Sequence, residues 1–299
     1  MNLTPAVLVF FTATSFPVQV AQGLVWVYPT ADATEAAAKK PALIPQLDEP
    51  EFVDATNFFV RDLPYSFEVL VENLCDPAHI PFAHHSLMNG ANRMTAADLN
   101  MKVTAETPQG FEARKDPYPE GKGRYDFSFQ APCLLYYQIV ADSKVRGKGS
   151  FLGLGQYCVP TAPGRCRLLA RFPFRLQFKP AMEIMRRTPR WMTHLSQNAV
   201  MDSDVVFLAS IDEILLREKD KKMPRYYMPA GCDSMVTAFR CWLVEHGGGG
   251  PEWLGYPAER TAGEPTGWIR PLRVPRREGR DALLDRYRQV NEVSPDFLC

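Results

Sequence analysis

The 299-residue chain has no excess of either charge, since Lys+Arg and Asp+Glu both total 34. A nucleic-acid partner would call for a basic surplus against its phosphates, so the balance argues against that class. The Arg-rich stretch Arg270 to Arg280 is read as a solvated loop. Paired-cysteine spacing is also missing. The seven cysteines, Cys75, Cys133, Cys158, Cys166, Cys232, Cys241 and Cys299, are odd in number and contain no CxxC. They read as mostly buried thiols of a reducing compartment, not as a disulfide framework or a structural zinc site. No long apolar run is present either. Ala6 to Val27 is interrupted by Pro17, Gln19, Gln22 and Gly23, and no basic region precedes it, so neither a membrane span nor a signal peptide fits. Two strands around a turn at Ser15 to Pro17 fit better, as the tail of a domain that began earlier.

What is present reads as an α+β chain. Residues 30 to 60, rich in Ala, Pro, Asp and Glu, suggest a linker. Apolar residues recur at helical spacing from Tyr65 to Cys75. Residues 98 to 178 then alternate β-formers between Gly, Pro and Asp turns, which predicts five or more antiparallel strands. Helical periodicity returns at Ala181 to Arg187, at Leu195 to Glu218, and from Cys232 or Asp233 to His246, where GGGG ends it. A short helix is expected near Ala282 to Gln289. The predicted architecture is a curved antiparallel sheet gripping long helices, a helix-grip or START-like fold. The expected divisions are 1–30 (terminal strands of a preceding domain), 31–60 (linker) and 61–299 (catalytic domain).

Three of the five histidines fall within seven residues, in Glu72-Asn73-Leu74-Cys75-Asp76-Pro77-Ala78-His79-Ile80-Pro81-Phe82-Ala83-His84-His85. Asp76 before Pro77 reads as an N-cap that closes one helix and opens the next turn. His79 and His84 are five apart, so on an unbroken helix they would diverge by about 140°. Pro81 predicts a break that lets both imidazoles converge on one ion. Two His and one carboxylate form the facial triad of non-haem Fe(II) oxygenases. The third ligand must come from elsewhere, and Asp202-Ser203-Asp204, at the start of the long apolar helix, offers two candidates that spacing does not separate. His85 is read as a bystander, and His194 and His246 as structural.

Asn73-x-x-Asp76-x-x-His79-x-x-x-x-His84 resembles the iron-binding signature of Rieske-type non-haem oxygenases. The longer string NLCDPAHIPFAHH is similar to the pheophorbide a oxygenase subfamily, which includes chlorophyllide a oxygenase and translocon-associated proteins of chloroplasts. DSDVVFL (202–208), YYMPAGCDSMVTAFRCWL (226–243), ALLDRYRQ (282–289) and YCVPTAPGRCRLLARFPF (157–174) are similar to later segments of that subfamily. The resemblance implies His79, His84 and Asp204 as ligands of a mononuclear Fe(II). It implies Asp76 as a bridging carboxylate toward the Rieske cluster of a neighbouring subunit, and Asn73 as a residue beside the iron. It further implies a homotrimer, a chloroplast location (soluble or peripheral), and electrons from ferredoxin or a separate Rieske donor.

Three departures stand against that pattern. A Rieske [2Fe–2S] cluster needs two Cys and two His. The first His here is His79, so the cluster's ligands are absent and most of the N-terminal Rieske domain lies outside this chain. The late CxxC of several plant members is represented by Cys299 alone, and the relatives' C-terminal membrane segments have no counterpart.

The reading is therefore an oxygenase acting on a large apolar ring, of the chlorophyll-type tetrapyrrole class, with its electron supply missing from this chain. The alternative is a non-catalytic module that binds hydrophobic ligands. A zinc hydrolase ranks last, because no HExxH-type general base accompanies the ligands.

Overall fold

A computed structural model describes residues 15–30, 32–56, 58–88, 91–115, 123–143, 147–217 and 227–251. The expected strand before Ser15, the Arg270–Arg280 loop, the helix at Ala282–Gln289 and Cys299 lie outside these residues. The first elements are β1 (Val18–Ala21) and β2 (Leu24–Val27), an antiparallel hairpin in which Val18 faces Val27 and Val20 faces Val25. Its turn is Gln22-Gly23, with φ of 53° and 76°. Positive φ at both central residues is the primed two-residue turn that matches strand twist.

Residues 30 to 60 hold more structure than a linker. They include α1 (Ala33–Ala38) and β3 (Val53–Asp54), and they lead into β4 (Phe59–Leu63). In β4, Phe59, Arg61 and Leu63 point inward. The inward arginine breaks the apolar alternation, which is why sequence pattern missed this strand.

The next helices are α2 (Phe67–Cys75) and, after a 3-10 turn at Pro77–His79, α3 (Ile80–Ala83). Then come β5 (Met101–Thr107), β6 (Gly110–Lys115), β7 (Arg124–Gln130), β8 (Leu134–Ser143), β9 (Gly147–Ala162), β10 (Arg165–Arg171) and β11 (Pro173–Arg175). The chain continues through α4 (Lys179–Arg187), α5 (Arg190–Arg217) and α6 (Ser234–Glu245).

β3 to β11 form one antiparallel sheet of nine strands. Its order is β3-β11-β9-β8-β7-β6-β5, with β10 pairing both β9 and β4. Register shifts between Val103 and Ala105, Ala141 and Ser143, and Arg165 and Cys166 increase local twist. The expected α+β architecture is borne out.

β8 serves both faces of the sheet. Leu135 and Tyr137 join the main core with Leu70, Val71, Phe129 and Phe239, so α2 and α6 pack on that face. Leu134 and Tyr136 point the other way, into a second cluster with Ile44, Phe151 and Tyr157. The hairpin closes that back face through Leu24 and Trp26, with Trp26 edge-on to Tyr157 at 5.6 Å. Each fully buried side chain of this kind contributes roughly 1.5–3 kcal/mol.

One glycine carries a backbone requirement for the sheet. Gly110 has φ of 135°, and a Cβ there would lie 1.9 Å from the carbonyl oxygen of Phe129. Gly110→Ala is expected to cost about 1–3 kcal/mol, from strain and loss of close strand approach. Urea denaturation checks this, and an unchanged midpoint would contradict it.

Candidate metal centre

α2 ends at Asp76, whose φ of −109° and ψ of 84° leave the helical region, as the residue before a proline is biased to do. The Asp76 carboxylate then accepts from the backbone N–H of Ala78 at 2.9 Å, which caps the 3-10 turn Pro77–His79. The break thus falls at residues 76–79. Pro81 sits in the first turn of α3, where its missing N–H is not needed. The short helix α3 carries the chain round so that His84, at its C-terminal end, faces back toward His79. The two Nε2 atoms lie 3.2 Å apart.

The third group comes from α5. Asp202, Ser203 and Asp204 lie near the middle of this 28-residue helix, not at its start, because the helix begins at Arg190. The structure separates the two aspartates. Asp202 pairs with buried Arg61 at 2.5 Å. Asp204 points at the imidazoles, with 3.9 Å from Oδ1 to His79 Nε2 and 3.5 Å from Oδ2 to His84 Nε2. The three ligand atoms lie within 4.8 Å of one another. Donors held about 2.1 Å from one ion would stand about 3.0–3.5 Å apart, so the spacing suits a single metal with slight closure.

Hydrogen bonds fix the ring tautomers. His79 Nδ1 meets the backbone carbonyl of Asp76, which can only accept, so that nitrogen carries the proton. Ser203 donates its hydroxyl to the Val200 carbonyl at 2.6 Å, and its oxygen is then left to accept from His84 Nδ1 at 2.9 Å. Both Nε2 lone pairs therefore face each other and a carboxylate. Asn73 Nδ2 donates to Asp204 Oδ2 at 3.2 Å, while Asp204 Oδ1 is buried with no hydrogen-bond partner among the described residues.

Electrostatics follow from this burial. Desolvation pushes the Asp204 carboxyl up to about 7, against the hydrogen bond from Asn73. Burial, then the neighbouring His79, pushes His84 down to about 4. His79 is lowered by burial as well, against the hydrogen bond to Asp76. All three groups are driven toward neutrality, and each is a metal ligand type whose charge or lone pair a cation would satisfy.

Asp76 is half-buried, and burial with the nearby Asp233 raises its carboxyl. His85 stays outside the cluster and accepts from the Arg93 N–H at 3.3 Å. His194 is buried against the Thr56 carbonyl at 2.8 Å and is structural. Sequence reasoning missed Ser203, which lies between the two aspartates and whose position gives it no motif. It also missed Arg61. Ser203→Ala is expected to weaken metal binding about 10–100-fold by freeing the His84 ring. Competition with a chelator measures this, and unchanged affinity would contradict it.

Residues 129–222 match the pheophorbide a oxygenase family. Pheophorbide a oxygenase, chloroplastic, of Arabidopsis thaliana is 33% identical, covering 81% of this chain and 47% of its own length. Flavonoid 8-hydroxylase 2, chloroplastic, of Ocimum basilicum is 31% identical, covering 80% of this chain and 47% of its own. The chain thus spans about half the length of these curated relatives. Among solved structures, NdmA of Pseudomonas putida CBB5, a QL mutant with theobromine, superposes with a TM-score of 0.55 at 16% identity. That match covers 77% of this chain and 60% of the other, and it speaks for the fold.

Proposed function

From a chain that carries a domain of the pheophorbide a oxygenase family, we propose the iron-bearing catalytic part of an oxygenase. His79, His84 and Asp204 hold one Fe(II). The observation that carries this is the convergence of two Nε2 lone pairs on a buried carboxylate with an unpartnered oxygen. Iron held by these two imidazoles and the carboxylate would supply activation of O2.

The chain's own residues prepare that site. The Asp76 carbonyl and the Ser203 hydroxyl hold the protons on the far sides of the two rings, so the near nitrogens stay free. Asn73 orients Asp204 through its amide. We assign the Asp76 carboxylate to the contact with an electron-donating Rieske [2Fe–2S] centre on another polypeptide or subunit, ferredoxin-fed, within a trimer. The substrate is a large apolar ring, of the tetrapyrrole class by relation to pheophorbide a oxygenase, and the location is the chloroplast.

The test supplies a Rieske donor, a chlorophyll-derived ring or a flavonoid, and labelled O2 to the iron-loaded chain. Label is expected in the product, and none with His84→Ala. Tight ring binding without incorporation would overturn the oxygenase and leave a binding module.

A further inference from the structure

α4 contributes nothing to the core, since none of its nine residues is buried. Its sequence is nevertheless two-sided. Pro180, Ala181, Met182, Ile184 and Met185 occupy one half of the helical wheel, and Lys179, Glu183, Arg186 and Arg187 the other. Ala181 and Met182 lean toward the protein, whereas Ile184 is 68% exposed. The chain then turns through Thr188-Pro189 into α5, whose first two turns add Trp191, Met192 and Leu195 to the same exposed stretch. Apolar side chains clustered in this way mark a contact surface.

Charge identifies the partner. Glu183 is the only acidic residue between 179 and 195, and it is already paired with Arg187 at 2.6 Å. Lys179 and Arg186 are exposed beside it, in a chain whose overall charge is zero. A second copy of the same patch would set like charges against each other, which disfavours a symmetric dimer here.

We propose that α4 and the first turns of α5 dock on an anionic bilayer surface. Ile184, Trp191 and Leu195 enter the acyl boundary, and Lys179, Arg186 and Arg187 reach the lipid phosphates. Exposed Ile184 on α4 and Trp191 and Leu195 on α5, next to exposed basic residues of α4, are the side-chain types that an anionic membrane interface takes up. No described helix is long and apolar enough to cross a membrane. The inference does not depend on the proposed chemistry.

The hairpin β1–β2 provides an internal control. Its exposed Val18, Val20, Val25 and Val27 are apolar, but residues 15–28 contain no charged side chain.

The test is co-sedimentation of the full chain with vesicles of pure phosphatidylcholine, or of phosphatidylcholine with about one-third phosphatidylglycerol. Binding to the anionic vesicles is expected to be at least about tenfold stronger and to fall with salt. Ile184→Glu with Trp191→Glu is expected to abolish it, Arg186→Glu with Arg187→Glu to weaken it about tenfold or more, and Val20→Glu to leave it unchanged. These positions are exposed, so far-UV circular dichroism is expected to be the same throughout. Equal binding to both vesicles, loss with Val20→Glu, or self-association that Ile184→Glu with Trp191→Glu removes without vesicles would overturn the proposal.

Discussion

Asp204→Asn is expected to stabilise the metal-free protein at alkaline pH while destroying its metal site. The folded protein holds this carboxyl at about 7, above the ordinary 3.8, because burial penalises its charge. Below about pH 4 both folded and unfolded chains are protonated there, and the group has no effect. Between about 4 and 7 the unfolded chain ionises freely while the folded one resists, so stability falls as pH rises. The loss is complete above about 7 and amounts to at most about 4 kcal/mol, taking 1.36 kcal/mol for each pH unit. Asn has no such penalty and keeps an oxygen for the Asn73 amide. Urea unfolding with a chelator present should show the variant gaining on wild type between about pH 5 and pH 8.5. A constant difference, or a variant weaker at high pH, would contradict the reading of Asp204 as an unsatisfied buried acid.

Arg61→Ala is expected to cost about 3–5 kcal/mol, the usual price of stranding one member of a buried ion pair. Arg61 is fully buried on β4 and reaches across to α5. Its Nη1 donates to the Asn198 carbonyl at 3.1 Å and to Asn198 Oδ1 at 2.8 Å, and its Nη2 to Asp202. These contacts fix α5 in the turns just before Asp204. Loosening them should therefore weaken metal binding as well as stability, although Arg61 is not itself a ligand. Asp202→Asn should lose less, because that side chain is 24% exposed and an amide can still accept from the guanidinium. Denaturation midpoints and metal affinity of both variants check this. A loss below about 1 kcal/mol for Arg61→Ala would contradict the account.

The parts of the site legible in sequence were those carried by local chemistry. Asp-Pro announced the helix break, because that effect acts within one turn. The convergence of His79 and His84 was read from a break at Pro81, whereas Pro81 sits inside α3 and the break falls at residues 76–79. The long-range parts were not legible. Spacing left Asp202 and Asp204 equivalent; they are distinguished by Arg61, 141 residues before Asp202, and by the imidazoles of His79 and His84 facing Asp204. Arg61 in turn hid β4, since an inward arginine removes the alternation by which a strand is recognised. Ser203 became visible only when α3 brought His84 against α5. The sheet was readable from residues 98 to 178, whose strands pair mostly with sequence neighbours.

The most direct test of the central claim is anaerobic Fe(II) loading, with iron counted per chain after desalting. The account predicts about one iron per wild-type chain and near none for His79→Ala or His84→Ala, with unchanged circular dichroism. Retention of iron by both variants would contradict it.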